Sequence, residues 1–211
     1  MKRHLIIFGK LPLPGRCMRR LAKQVGAAAS AGVYARLLLE TVGRLSRLTH
    51  SGITVELSVA TAQGRAYFGE AFPELSVTEQ SEGDLGQRMR TALERVFDVG
   101  ATDVVLVGSD IPDMGQDVVL RAFESLERVH LVLAPANDGG YVLIGMRGRT
   151  HPVFDDIDWG QSDVLKKTTA QADRLGISYE FLEPLADLDT VSDLRAWQSA
   201  VRKGEWPDPP L

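Results

Sequence analysis

Apolar residues switch repeatedly between two spacings along this chain. Short, nearly unbroken apolar runs at 5–8, 53–60, 75–78, 104–107, 131–133, 141–146 and 179–182 predict strands, because a continuous apolar stretch suits a strand covered on both faces. Between them the spacing becomes helical. Val33, Leu37, Val42, Leu45 and Leu48 form one stripe with Arg36, Arg44 and Arg47 largely off it, which predicts a helix over 27–48. Met89, Leu93, Val96 and Phe97 predict another over 85–99, with Gly100 beyond its end. Further helices are expected over 65–71 (stopped by Pro73), 117–126 and 162–175, and from about Thr190, where Asp193 completes a capping-box-like pair. The prolines of 206–210 cannot continue a helix, so 204–211 is expected as a loose end. Repeated β–α alternation places helices on both faces of a mostly parallel sheet, an α/β protein of three layers, α/β/α. Ligands of such sheets bind beyond the carboxyl ends of the strands. The loops after Phe8, Thr78, Val107 and Leu133 are therefore the places to look.

Composition narrows the classes. A length of 211 residues without a repeat or low-complexity linker suits one domain over 1–211. The net charge of −4 gives no overall positive field to draw nucleic acid or anionic lipid, although local basic groups still suit a nucleotide. No apolar run has membrane-spanning length, and the basic opening before Leu5–Phe8 is too short for a signal peptide. The single cysteine, Cys17, excludes an internal disulfide and fits a reducing compartment, so a cytoplasmic location is expected.

Five clusters carry chemistry. The loop after the first strand holds Gly9, Lys10, Gly15, Arg16, Arg19 and Arg20. Glycines let backbone N–H groups approach phosphate oxygens, and the cations neutralise them; a solvated basic turn has the same composition. Gly108-Ser109-Asp110-Ile111-Pro112-Asp113 puts Asp110 immediately after an apolar strand, where a hard cation on a diphosphate needs only one or two protein carboxylates. Asp113 suits a helix cap. Asp138-Gly139-Gly140-Tyr141 reads as a base or sugar-hydroxyl acceptor on a ligand-approaching turn, or as a plain hairpin turn. Asp187-Leu188-Asp189-Thr190 offers Asp189 as a helix cap or a second metal ligand. Gln80, Gly83, Asp84 and Gly86 open a helix and suit either a nucleobase edge or a turn with its cap. Cys17, beside Arg16, is a redox-sensitive thiol or a small buried filler. The four histidines lack metal-ligand spacing.

Taken in order, Phe8-Gly9-Lys10-Leu11-Pro12-Leu13-Pro14-Gly15-Arg16 with Arg20-Leu21-Ala22, then Gln80 to Met89, Gly108 to Asp113, Asp138 to Tyr141 and Asp187 to Thr190, resemble the radical-SAM/selenodomain-associated transferase family, type 1. That family lies in the nucleotide-diphospho-sugar transferase superfamily of GT-A fold, and the resemblance runs from Leu5 to about Trp197. It implies a Rossmann-like nucleotide-binding half, with Asp110 where the superfamily places a metal-binding aspartate. The function it implies is sugar transfer from a nucleotide-diphospho-sugar to a small acceptor, with Mg2+ or Mn2+ bridging the diphosphate and Asp110, joined by Asp189. Gly9, Lys10, Gly15, Arg16 and Arg20 would hold phosphates, and Gln80, Gly83 and Asp84 the nucleotide. Gly139, Gly140, Tyr141 and Trp159 would face the sugar or acceptor, whose hydroxyl Asp138 would orient or deprotonate. Two departures stand out. The family reads Pro-Gly-Arg-Val-Lys-Thr-Arg-Leu where this chain has Met18 and Arg19 at the Lys and Thr positions, leaving Arg16, Arg19 or Lys23 to replace the lysine. Its Trp-Ser-Thr is here Trp159-Gly160-Gln161. A nucleotidylyltransferase that takes a nucleoside triphosphate and releases pyrophosphate, and a non-catalytic nucleotide-binding protein on the same scaffold, are the alternatives.

Overall fold

The computed structural model describes residues 1–149 and 151–202, so the expected loose end 204–211 lies outside the described residues. In chain order the strands and helices are β1 (Arg3–Gly9), α1 (Arg19–Val25), α2 (Ala27–Leu45), β2 (Thr54–Val59), α3 (Ala62–Ala71), β3 (Ser76–Glu79), α4 (Leu85–Asp98), β4 (Asp103–Gly108), α5 (Gln116–Ser125), β5 (Leu131–Pro135), β6 (Tyr141–Arg147), α6 (Val164–Leu175), β7 (Tyr179–Phe181) and α7 (Val191–Arg202). The strands form one seven-stranded sheet in the order β3-β2-β1-β4-β6-β5-β7. β6 runs antiparallel to both neighbours, and the remaining ladders are parallel. The expected mostly parallel sheet of a three-layer α/β/α protein is what forms.

The alternation within each strand sorts side chains onto two faces. Leu5, Ile7, Val105, Val107, Val132 and Leu143 point to the face covered by α1, α2, α3, α5 and α7, through Leu21, Leu38, Phe68, Val119 and Trp197. Ile6, Phe8, Val104, Leu106, Leu133 and Ile144 meet α4, α6 and the short 3-10 helix His151–Phe154 on the other, through Leu93, Phe97, Ala172 and Phe154. Burial on both faces is why the strands read as continuous apolar runs.

Two features depart from the sequence expectation, and a third, the cap of the last helix, bears it out. The helix expected over 27–48 ends as α-helix at Leu45 and tightens into a 3-10 helix, Ser46–Ser51, that stops where Gly52 takes φ 72°. α1 carries no apolar stripe to reveal it: of its seven residues only Leu21 is buried. The last helix is capped by Thr190 and Asp193, whose carboxylate accepts from the Thr190 amide at 2.7 Å. Asp189 is left free for a different partner.

Candidate active site

The carboxyl ends of β1 and β4 and the hairpin between β5 and β6 open onto a cleft of about 660 Å³. An adjoining recess of about 430 Å³ shares Lys10, Arg20, Asp110, Asp138 and Asp187 with it. All four of the expected loops thus meet in one place, the one after β3 through Gln80. Gly9 ends β1 between Leu38 and Leu57, whose methyl groups would lie 3.1 and 3.2 Å from an added Cβ and would have to shift to admit one. Lys10 follows. Its amide donates to the Tyr34 hydroxyl at 3.1 Å, and its ammonium lies 5.3 Å from the centre of the Tyr34 ring. That hydroxyl stands 2.8 Å from Ser109 Oγ, the residue before Asp110.

The carboxylates are mutually strained by charge. Burial pushes the pKa of Asp110 up; the Lys10 charge pulls it down, and Asp189 pushes it up again. Asp187 is also raised, first by burial and then by Asp110, Asp138 and Asp189. The loop that carries Asp187 and Asp189 is fastened here by the Leu188 amide, which donates to the Asp110 carbonyl at 3.0 Å. Asp189 pairs with Arg20 at 2.8 Å. Among the described residues no group of three or more His, Cys, Asp or Glu side chains forms a ready-made metal cage. A magnesium-type ion on a diphosphate needs less, one or two carboxylates with phosphate and water completing its shell. Asp110, together with Asp187, whose pKa burial and then the Asp110 charge raise, fits that requirement.

Other expected residues divide between the cleft and its supports. Arg16, Arg19 and Arg20 line the recess, whereas Gly15 turns the loop at φ 74° outside it. Lys23, the remaining substitute for the absent lysine, lines neither cavity. Met18 takes φ 45°, and its side chain packs in the core, only 6% exposed, beneath the recess. Cys17 is buried beside it, and burial pushes its thiol up, which suits the small filler and not the redox switch. Gln80 lines the cleft, but both amide hydrogens are taken by the carbonyls of Gly9 (3.2 Å) and Ser58 (2.9 Å). Its carbonyl oxygen is the atom left for a ligand.

Gly83 and Asp84 do not reach the cleft. Asp84 caps α4 in a capping box with Gln87, and Gly83 at φ 109° precedes that cap. Asp113 caps nothing, because α5 starts after Gly115 without a side-chain cap.

The Asp138 segment is both a turn and a wall. Ala136 and Gly140 close the hairpin by a backbone bond of 3.0 Å, and Asp138 accepts from the Gly140 amide at 3.0 Å. Asp138 and Gly140 line the cleft; Gly139 instead packs on the Ser162 carbonyl, 1.9 Å from where a Cβ would sit. Tyr141 and Trp159 line the far end, edge to face with ring centres 6.4 Å apart. Burial holds the Tyr141 phenol protonated well above its ordinary range. Trp159 lies on α4 at Gly86, where a Cβ would fall 2.0 Å from the indole nitrogen. Sequence reasoning assigned no role to Tyr34 or Ser109 and left Asp187 unused. Tyr34 sits among the apolar positions of α2, so periodicity treats it as filler; Asp187 stood in a noted motif, behind a more conspicuous Asp189.

Residues 44–161 match the family described as "Uncharacterized protein conserved in bacteria (DUF2064)". The crystal structure of a protein provisionally named a nucleotide-diphospho-sugar transferase, from Desulfovibrio desulfuricans G20, is 30% identical with a TM-score of 0.87, covering 97% of this chain and 96% of that one. A cytidylyltransferase from Leptospira borgpetersenii serovar Hardjo-bovis (strain JB197) is similar at TM-score 0.66 and 11% identity, over 96% of this chain and 87% of the other. The 4-diphosphocytidyl-2C-methyl-D-erythritol synthase of Anaerococcus prevotii DSM 20548 gives 0.63 at 8% identity, over 95% and 99%. At such identities the last two share the fold alone. No match to the chain is found among curated proteins. The architecture is the Rossmann-like, GT-A type of α/β/α sandwich.

Proposed function

The chain belongs to the DUF2064 family of proteins conserved in bacteria, and from this membership and the GT-A-like fold we propose an enzyme that transfers a sugar from a nucleotide-diphospho-sugar to a small acceptor. The observation that carries the reading is the juxtaposition, in one recess, of Lys10, Arg16, Arg19 and Arg20 with Asp110, Asp138, Asp187 and Asp189. Cations alone would suit any anion. Cations interleaved with carboxylates, of which Asp110 and Asp187 are raised by burial and by neighbouring acids, suit a diphosphate carried with a divalent ion. The name given to the Desulfovibrio protein, and the ordered segments that resemble type 1 radical-SAM/selenodomain-associated transferases, support the same reading.

In this reading Lys10, Arg16 and Arg20 bind the diphosphate, and the Gln80 carbonyl oxygen accepts from a nucleobase N–H. Trp159 and Tyr141 supply an apolar wall for the sugar or acceptor. Asp138, oriented by the Gly140 amide, accepts the proton of the acceptor hydroxyl. Asp110, with Asp187 or Asp189, would hold Mg2+ or Mn2+, which would offset the charge on the departing nucleoside diphosphate.

Calorimetric titration of nucleotide-diphospho-sugars with and without Mn2+ tests this. Asp110→Ala is expected to lower metal-dependent affinity at least about tenfold; unchanged affinity removes the metal role. A second reading, nucleotidyl transfer from a nucleoside triphosphate, is favoured by the size of the recess beside the cleft, which carries four cations and has room for a departing pyrophosphate. Product analysis separates them, since pyrophosphate appears in the second and a nucleoside diphosphate in the first.

A further inference from the structure

Tyr34 lies on α2 and is only 1% exposed, yet it joins the two loops that flank the cleft. Its oxygen accepts the Lys10 amide at 3.1 Å and lies 2.8 Å from Ser109 Oγ. Both hydroxyls are buried, so their 2.8 Å contact is a hydrogen bond that satisfies one proton of the pair, whichever oxygen donates. The ring face meets the Lys10 ammonium at 5.3 Å, within the range of a cation–π contact. One side chain therefore holds Lys10 both at its backbone and at its charged tip, and ties both to the residue before Asp110. Lys10 lines cleft and recess alike, while Met18 contributes no charge and Arg20 is 70% exposed on a long stem.

We infer that Tyr34 is a positioning residue for phosphate binding, holding Lys10 at the edge of the cleft and acting through it. The inference rests on the reading of the cleft as a phosphate-binding site. A purely structural tyrosine would weaken any ligand to the same extent whatever stood at position 10. A positioning tyrosine loses its effect once Lys10 is gone.

The test is a double-mutant cycle on the full-length protein, with inorganic pyrophosphate as the probe in calorimetry and melting curves to verify folding. Lys10→Met is expected to weaken pyrophosphate about tenfold. Tyr34→Leu should match that loss, and Tyr34→Phe, which keeps the ring, should lose less. In the Lys10→Met background neither change at Tyr34 should have further effect. Additive losses would overturn the inference, as would full affinity in the Tyr34 variants alongside weakened Lys10→Met. Full affinity in Lys10→Met itself would overturn the phosphate reading together with this inference. Should Tyr34→Leu fail to fold, the Tyr34→Phe cycle decides alone.

Discussion

Asp187 illustrates how a residue can serve a site at the expense of the fold. Its carboxyl is raised by burial and by three neighbouring carboxylates, Asp110, Asp138 and Asp189. A folded-state pKa above the unfolded value means that the group's stabilising contribution is complete below the unfolded pKa and is lost as pH rises through the folded one. At neutral pH the folded protein therefore carries this carboxylate as a burden. Asp187→Asn is expected to raise the neutral-pH melting temperature by roughly 2–4 °C, with the advantage vanishing below about pH 3.8. Melting curves of both proteins across pH check this. A variant that melts lower at pH 7 would show that the carboxylate is compensated by partners in the folded state.

Among the elements, α4 lines the cleft with Leu85, Arg88 and Met89 and also shapes it through a side chain it lacks. Its first turn carries Gly86, and the missing side chain lets Trp159 lie against the helix and face the cleft. In Gly86→Ala the helix gains roughly 1 kcal/mol of propensity, but the new methyl occupies the place of the indole nitrogen. The expected result is a shifted Trp159 indole N–H resonance, assigned through Trp159→Phe, with ligand affinity reduced about tenfold. An unmoved resonance would mean that Trp159 does not depend on that gap. The elements themselves were readable where burial imposes periodicity: β1, β4 and β5 as apolar runs, α2 and α4 as stripes. α1 was not, because a seven-residue helix with one buried side chain has no period to detect. The clusters after β1, β4 and β5 were legible as chemistry, since charge beside glycine at a strand end has little structural use. Gly83 and Asp84 have the same composition but are consumed by a helix cap, a distinction that only three-dimensional placement makes. Tyr34 was illegible for the opposite reason: its function lies in a hydroxyl carried on a core position.

At the scale of the whole molecule, the sheet is held at the end away from the cleft by a buried charge. Glu56 on β2 is 2% exposed and meets His4 of β1 at 3.3 Å, Thr78 of β3 at 3.3 Å and Arg95 of α4. Burial alone would push its pKa up, but the His4 and Arg95 partners outweigh burial and hold it below the ordinary carboxylate range. Here the linkage runs the other way. The contribution is present above the unfolded pKa and is lost as pH falls through the folded one. Glu56→Gln is expected to cost about 1–2 kcal/mol at neutral pH, because the charge-assisted bond from the half-exposed Arg95 to the buried carboxylate is replaced by a weaker neutral one. The cost should shrink as pH falls below about 4.5. Equal denaturation midpoints at pH 7 would place the stabilisation elsewhere. Acid therefore acts in opposite directions at the two ends of the sheet, relieving the cleft and weakening the far end.

Because the Leu188 amide is fastened to the Asp110 carbonyl, the cleft is completed late during synthesis on the ribosome. Lys10 and Asp110 emerge first, and Asp138 follows with the hairpin. Asp187 follows β7, the strand at the edge of the sheet beside β5. A nascent chain that has made β6 thus has phosphate-attracting lysine and arginines but not the full set of acids. The charges of the recess are drawn from both ends of the chain, so the full set exists only once nearly the whole chain has been made.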